Sequence, residues 1–202
     1  MDICIIDTET SGLFDFSKPA HAEGQPRLAS LAMIFATPDL AAITRQERYF
    51  VRPDGWAMQP GAQAKNGLST ELLHERGIPV SDVLDAYEAA IVAGHPIGAF
   101  NAQFDTKVMR GEFRRAGRDD HFERTPNVCA MRAAAKVVPM TGRKGGPRMI
   151  SLANACAHFG IHNENPHEEL SDALACLEIM RALRRMGALP EPAVHFAKNR
   201  PV

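Results

Sequence analysis

The chain opens on a continuous apolar run, Ile3-Cys4-Ile5-Ile6, which breaks into the polar cluster Asp7-Thr8-Glu9-Thr10-Ser11-Gly12. A short apolar run bounded by polar residues reads as a buried strand whose end opens at a site. Residues 14–27 contain Pro19, Gly24 and Pro26 and read as a loop. Leu28–Ala36 and Tyr49–Val51 have strand character on either side of the turn-forming Thr37-Pro38-Asp39, so three strands make an antiparallel meander. Residues 52–67, rich in proline and glycine, are expected to be irregular. The period then changes. Ser69–His74 and Val80–Val92 have helical spacing, the second with a start signal at Ser81-Asp82, and Ile97–Phe100 is a short apolar strand. Three more helices are expected over Asn101–Ala116, Ser151–Phe159 and Leu170–Met186, each followed by a glycine. A meander followed by alternating helices and strands predicts an α/β fold. Its sheet is mixed, an antiparallel meander plus parallel strands, and helices flank it.

Composition narrows this picture only a little. The 202 residues are 45% apolar, enough for one substantial core, and are read as one domain over 1–188 with a proline-rich tail over 189–202. Basic and acidic residues balance, 23 against 24, so nucleic-acid binding would need local basic patches or bound cations. Cys4, Cys129, Cys156 and Cys176 have no zinc-ligand spacing and are expected to be reduced thiols of a cytoplasmic protein. The sequence carries neither a signal-peptide pattern nor an apolar stretch of membrane-spanning length.

Candidate chemistry lies at element ends. Asp7 and Glu9 are two apart in a strand and share a face. Two carboxylates there repel unless a divalent cation or solvent screens them. Asn101 and Asp105 share one face at a helix start, where they also suit a cap and a first turn. His167 and Asp172 flank the start of the last long helix. Its cap is either Asn165-Pro166, which puts His167 in the first turn, or Ser171, which leaves His167 in a loop.

In order, Asp7-Thr8-Glu9-Thr10-Ser11-Gly12, Asn101-Ala102-Gln103-Phe104-Asp105 and His167-Glu168-Glu169-Leu170-Ser171-Asp172-Ala173 closely resemble the three motifs of the DEDDh exonucleases. These are a branch of the ribonuclease-H-like superfamily that includes the bacterial DNA polymerase III proofreading (epsilon) subunit. The resemblance spans residues 2–186 and takes in Ser151–Gly160 as the helix before the third motif. It implies a 3′→5′ exonuclease in which Asp7, Glu9, Asp105 and Asp172 hold two divalent ions, Mg²⁺ or Mn²⁺, and His167 is the general base. Thr10, Leu13, Asn101 and Phe104 would meet the terminal nucleotide, Phe104 serving equally well in the core. The expected partner is the 3′ end of a nucleic acid, with single-stranded DNA favoured and RNA the alternative. A polymerase or a second copy of the chain is a further candidate partner. A catalytically dead nucleic-acid-binding module is the rival from another class, and the intact acid set argues against it.

The chain departs from its relatives in two places. Glu169 stands where many have a small residue, and Asn66-Gly67-Leu68 replaces a common His-Gly-Ile. Two basic features remain. Lys107, Arg110, Arg114, Arg115 and Arg118 could form a positive stripe or an ordinary solvated helix face. Arg143, Lys144 and Arg148, interleaved with Gly145 and Gly146, suggest a loop that touches phosphates.

Overall fold

The structure is a computed structural model and describes residues 1–139 and 149–194. Five strands form one sheet: β1 (Ile3–Thr10), β2 (Leu28–Ala36), β3 (Ile43–Phe50), β4 (Ile97–Ala99) and β5 (Asn127–Cys129). Their order is β3-β2-β1-β4-β5. β2 pairs antiparallel with both β1 and β3, while β1–β4 and β4–β5 are parallel. The expected meander is therefore present, and β4 and β5 add the parallel half. Helices α1 (Pro60–Asn66), α2 (Thr70–Arg76), α3 (Val80–Val92), α4 (Ala102–Arg115), α5 (Ala130–Ala134), α6 (Leu152–Phe159) and α7 (Glu169–Arg185) surround the sheet. Among the described residues, no helix is long and apolar enough to cross a membrane. The four cysteines are free thiols.

The two-residue period of β1 organises the molecule. Ile3 and Ile5 enter the core beneath α5, α6 and α7, together with Ala173, Leu177 and Met180. Cys4 and Ile6 enter the opposite core beneath α3 and α4, together with Leu84, Tyr87, Val108 and Phe113. Successive side chains of a strand point to opposite faces, so β1 is apolar throughout because helices cover both. Burial of each large side chain, such as Ile5 or Phe113 at 0% exposure, contributes about 1.5–3 kcal/mol.

Several elements differ from the sequence reading. β3 begins at Ile43 rather than Tyr49, because its first six residues (Ile43-Thr44-Arg45-Gln46-Glu47-Arg48) are mostly polar and sit at the sheet edge. Residues 60–66 are helical, not irregular. Pro60 occupies the first helical position, where its missing N–H costs nothing, and Gly67 ends the helix at φ 73°. α3 is entered from Pro79, and the Ser81 hydroxyl bonds Asp82 rather than capping the helix. β5 and α5 went unpredicted. α7 starts at Glu169 with Glu168 in the cap position, so neither Asn165-Pro166 nor Ser171 caps it, and His167 lies in the turn just before. The tail docks in part: Ala193 and Asn127 exchange backbone hydrogen bonds of 3.0 and 2.9 Å.

Candidate active site

The alternation that builds two cores also sorts the chemistry at the end of β1. Asp7 and Glu9 continue the Ile3–Ile5 side and face α7, which brings Asp172. One carboxylate oxygen from each of Asp7, Glu9 and Asp172 lies within 4.8 Å of the others. Thr8 continues the Cys4–Ile6 side and faces α4. There its backbone N–H (3.0 Å) and hydroxyl (2.9 Å) both donate to Asp105 Oδ1. Asp105 therefore reaches the same end of β1 from the other face. The β1–β2 register shifts between Glu9 and Thr10, which bends the strand where the cluster sits.

The surroundings hold these acids individually but do not neutralise them. Glu9 accepts 3.2 Å from the Asn66 side chain. Asp172 is buried and accepts from Asn163 Nδ2 (2.6 Å) and from the His167 backbone N–H (3.2 Å). Burial pushes the Asp7 carboxyl well above its ordinary range, and the neighbouring Asp105, Asp172 and Glu9 push it further. Glu9 is pushed up to about 7, by burial first and by Asp172, against the pull of the Asn66 bond. Asp105 is likewise raised to about 7 by burial, with the two Thr8 bonds opposing. Carboxylates whose neighbours are carboxylates form a site that a hard divalent cation satisfies, because oxygen donors at this spacing match its preference.

The remaining candidates divide. His167 is exposed in the left-handed region, φ 69°, on the turn that enters α7. Thr10 is buried and its hydroxyl bonds the Gly12 carbonyl at 2.8 Å. Leu13 is 89% exposed beside it. A Cβ on Gly12, between them, would meet only the far end of the flexible Gln59 side chain, which would have to swing aside. Asn101 takes the cap position of α4, but its side chain makes no cap bond. Phe104 is half-buried against the α3–α4 core and meets the Phe14 ring edge-on at 5.8 Å. Arg143, Lys144 and Arg148 lie outside the described residues. The arginines of the basic stripe are ion-paired rather than free, as Arg110 and Arg114 hold Asp120, Arg115 holds Glu112, and Arg118 holds Asp85 and Glu88, whereas Lys107 lies over the Phe14 and Phe16 rings.

Four participants were missed in the sequence, one of them Asn163, which holds Asp172. Thr8 could have been found from strand alternation, which turns it away from Asp7 and Glu9. Asn66 sits in the segment that departs from the relatives, and its contact with Glu9 was not foreseen. Arg48 ion-pairs with Glu168 at 2.7 Å and also with Glu169, from a strand too polar to be recognised. Glu169 is thus a buried, partnered acid at 1% exposure rather than a solvated first-turn residue.

Comparison with known proteins agrees with this geometry. The family model described as Exonuclease (RNase_T) matches residues 4–180. No curated protein matches the chain. Among solved structures the chain is similar to E. coli exonuclease I in complex with a dT13 oligonucleotide, with TM-score 0.73 and 20% identity over 91% of this chain and 41% of that one. The same enzyme in complex with a dA16 oligonucleotide gives TM-score 0.72, 20% identity, 91% and 41%. The zinc-bound form of the E. coli exonuclease I–ssDNA complex gives 0.72, 20%, 91% and 40%. The chain thus spans about two fifths of the length of those proteins, and at this identity the likeness establishes the fold.

Proposed function

Because the chain belongs to the exonuclease family, we propose that it is a metal-dependent enzyme that hydrolyses phosphodiester bonds from the 3′ end of a nucleic-acid strand. The observation that carries this reading is the crowding of Asp7, Glu9 and Asp172 within 4.8 Å, with Asp105 reaching the same strand end. Four hard oxygen donors suit a pair of Mg²⁺ or Mn²⁺ ions. When bound, such ions supply Lewis acidity for attack on phosphorus and for departure of the 3′ oxygen.

The chain's own residues do the rest. Thr8 fixes the Asp105 carboxylate by two hydrogen bonds. Asn66 and Asn163 orient Glu9 and Asp172. His167 accepts the proton of the attacking water and returns it to solvent, which its exposed position beside Asp172 allows. Leu13, Phe104 and the Thr10 segment receive the terminal nucleotide, with Asn101 beside them. Arg143, Lys144 and Arg148 contribute phosphate affinity. The catalytic domain is residues 1–188, and 189–202 is its tail.

DNA is the favoured substrate because the similar exonuclease I structures hold oligodeoxynucleotides. A matched digestion of 5′-labelled single-stranded DNA, RNA and 3′-mismatched duplex, in Mg²⁺ and in excess chelator, tests the reading. The expected result is a ladder shortening from the 3′ end of DNA in Mg²⁺ and none in chelator. Faster RNA digestion would move the assignment to an exoribonuclease, and digestion in chelator would remove the metal. His167→Ala should lower kcat by at least about 10²-fold with KM little changed, because a general base acts in the transition state. Wild-type turnover in that variant would exclude His167 as the base.

A further inference from the structure

The segment that presents His167 is held largely by itself. The Asn165 N–H donates to Ser171 Oγ (3.1 Å), and Ser171 Oγ donates to Asn163 Oδ1 (2.7 Å). Asn163 Nδ2 donates to Asp172 Oδ1 (2.6 Å), and the Glu168 N–H donates to the Asn165 carbonyl (3.1 Å). These bonds tie the turn to the first turn of α7. They do not fix that assembly against the sheet, where Asp7 and Glu9 stand. Meanwhile His167 keeps a backbone φ of 69°, which a residue with a side chain adopts when its surroundings impose it.

α7 itself packs on the sheet through Ala173, Leu177 and Met180, and Arg48 adds a polar grip at the entrance to the helix. From β3 its guanidinium meets Glu168 at 2.7 Å through Nη1 and ion-pairs with Glu169 through Nε. It also lies over the Phe50 ring at 4.6 Å from the centroid, so its plane is fixed from a third side. The two glutamates directly follow His167. A planar fork that holds both therefore sets the end of the turn against the strand layer, which a single point charge would do less well. Neutralising buried Glu169 takes one arm of the guanidinium, and the other reaches Glu168, the residue next to His167.

We propose that Arg48 is a positioning residue for the hydrolytic step, acting through His167 by pinning Glu168 and Glu169 to β3. The proposal rests on the reading of His167 as the base. It implies non-additivity, since once the base is gone its positioner has nothing left to position.

The test is a double-mutant cycle on a 5′-labelled single-stranded oligodeoxynucleotide at saturating Mg²⁺, with kcat and KM measured for wild type, Arg48→Ala, His167→Ala and the pair. Arg48→Ala should lose at least about tenfold in kcat, as small misplacements of catalytic groups do, with KM within about twofold of wild type. In the His167→Ala background, removing Arg48 should cost less than about twofold. Losses that multiply would overturn the proposal, because Arg48 would then act independently of His167.

Arg48→Ala strands a buried carboxylate and could unfold the protein, so Glu168→Ala provides a second arm. It cuts only the more exposed ion pair and leaves Glu169 matched. It should melt with wild type yet lose at least about threefold in kcat, a modest version of the same misplacement, and amide exchange over residues 163–168 should quicken. Wild-type kcat or unchanged exchange in that variant would overturn the role. If the wild type digests no strand in Mg²⁺, the parent reading falls and this one with it. If the wild type is active and the cycle is additive, only the role of Arg48 falls.

Discussion

Two charged regions flank the sheet and obey opposite rules. Along α4 each arginine named above meets an acid, and the buried Glu112 accepts from Arg27 (2.9 Å), Arg115 (2.9 Å) and the Leu28 N–H (3.0 Å). At the end of β1, Asp7, Glu9 and Asp172 meet one another, with Asp105 behind Thr8. Both regions look in the sequence like runs of charge at helical or strand spacing. The difference is whether the fold closes the electrostatic account locally. Where it does, charge serves structure. Where it leaves like charges together and buried or half-buried, folding is opposed and something other than stability must explain the arrangement.

The sharpest way to break the comparison is Asp7→Asn. Turnover should fall by at least about 10²-fold, by analogy with loss of one transition-state-stabilising group. In excess chelator, however, the variant should melt above the wild type, because one member of a repelling cluster is gone. Added Mg²⁺ should stabilise the wild type and do much less for the variant. The pH dependence of the chelated wild type has a fixed sign. The Glu9 carboxyl rises from 4.5 unfolded to about 7 folded, so its contribution is present below 4.5 and is lost as pH climbs toward and past 7. Melting in chelator should therefore fall across that window. A wild type that gains stability with pH there would mean the acids are partnered after all.

Glu112→Ala asks the opposite question of the α4 side. Glu112 is 2% exposed and its loss leaves Arg27 and the Leu28 N–H without their acceptor. Removing one partner of a buried ion pair costs about 3–5 kcal/mol. Denaturant unfolding should show a loss of that order, while kcat measured well below the melting temperature stays within about twofold, as expected for a group that makes no transition-state contact. A large kcat loss in folded protein would place Glu112 with the site and erase the contrast.

How much of this contrast was legible in the sequence follows from the physics of each part. The acids were legible because Asp7 and Glu9 end an apolar run and recur with Asp105 and Asp172 in a known order. The long helices were legible because thirteen residues of one period, as in α3, leave little ambiguity. β5 was not, since Asn127-Val128-Cys129 is too short to show a period and is held by pairing with β4. α1 was hidden because Pro60 and Gly67 read along the chain as loop markers, although both sit where helices accept them. Least legible were the partners: Arg48 to Glu168 and Glu169, Arg118 to Glu88, and Arg27 to Glu112 are 30 or more residues apart. Spacing along a chain cannot reveal which charges the tertiary fold has matched, so the α4 stripe and Glu169 were both open in the sequence.

The smallest expected effect gives the finest test of that matching. Arg114 is the more exposed of the two arginines on Asp120, with a side chain 39% accessible against 15% for Arg110. Its ion pair is half-solvated and Asp120 keeps Arg110, so Arg114→Ala should cost less than about 1 kcal/mol of stability. The discriminating quantity is the salt dependence of binding. A guanidinium that touches a phosphate releases counterions, and losing such a contact flattens the slope of log K against log salt by about 0.7 on a single strand. A guanidinium already committed to Asp120 contributes nothing to that slope. Titrations of single-stranded DNA at several salt concentrations, in a catalytically silent Asp7→Asn background, should therefore give the same slope with and without Arg114. A flatter slope would show that the strand outcompetes Asp120, and the basic face of α4 would then belong to the substrate path as well as to the fold.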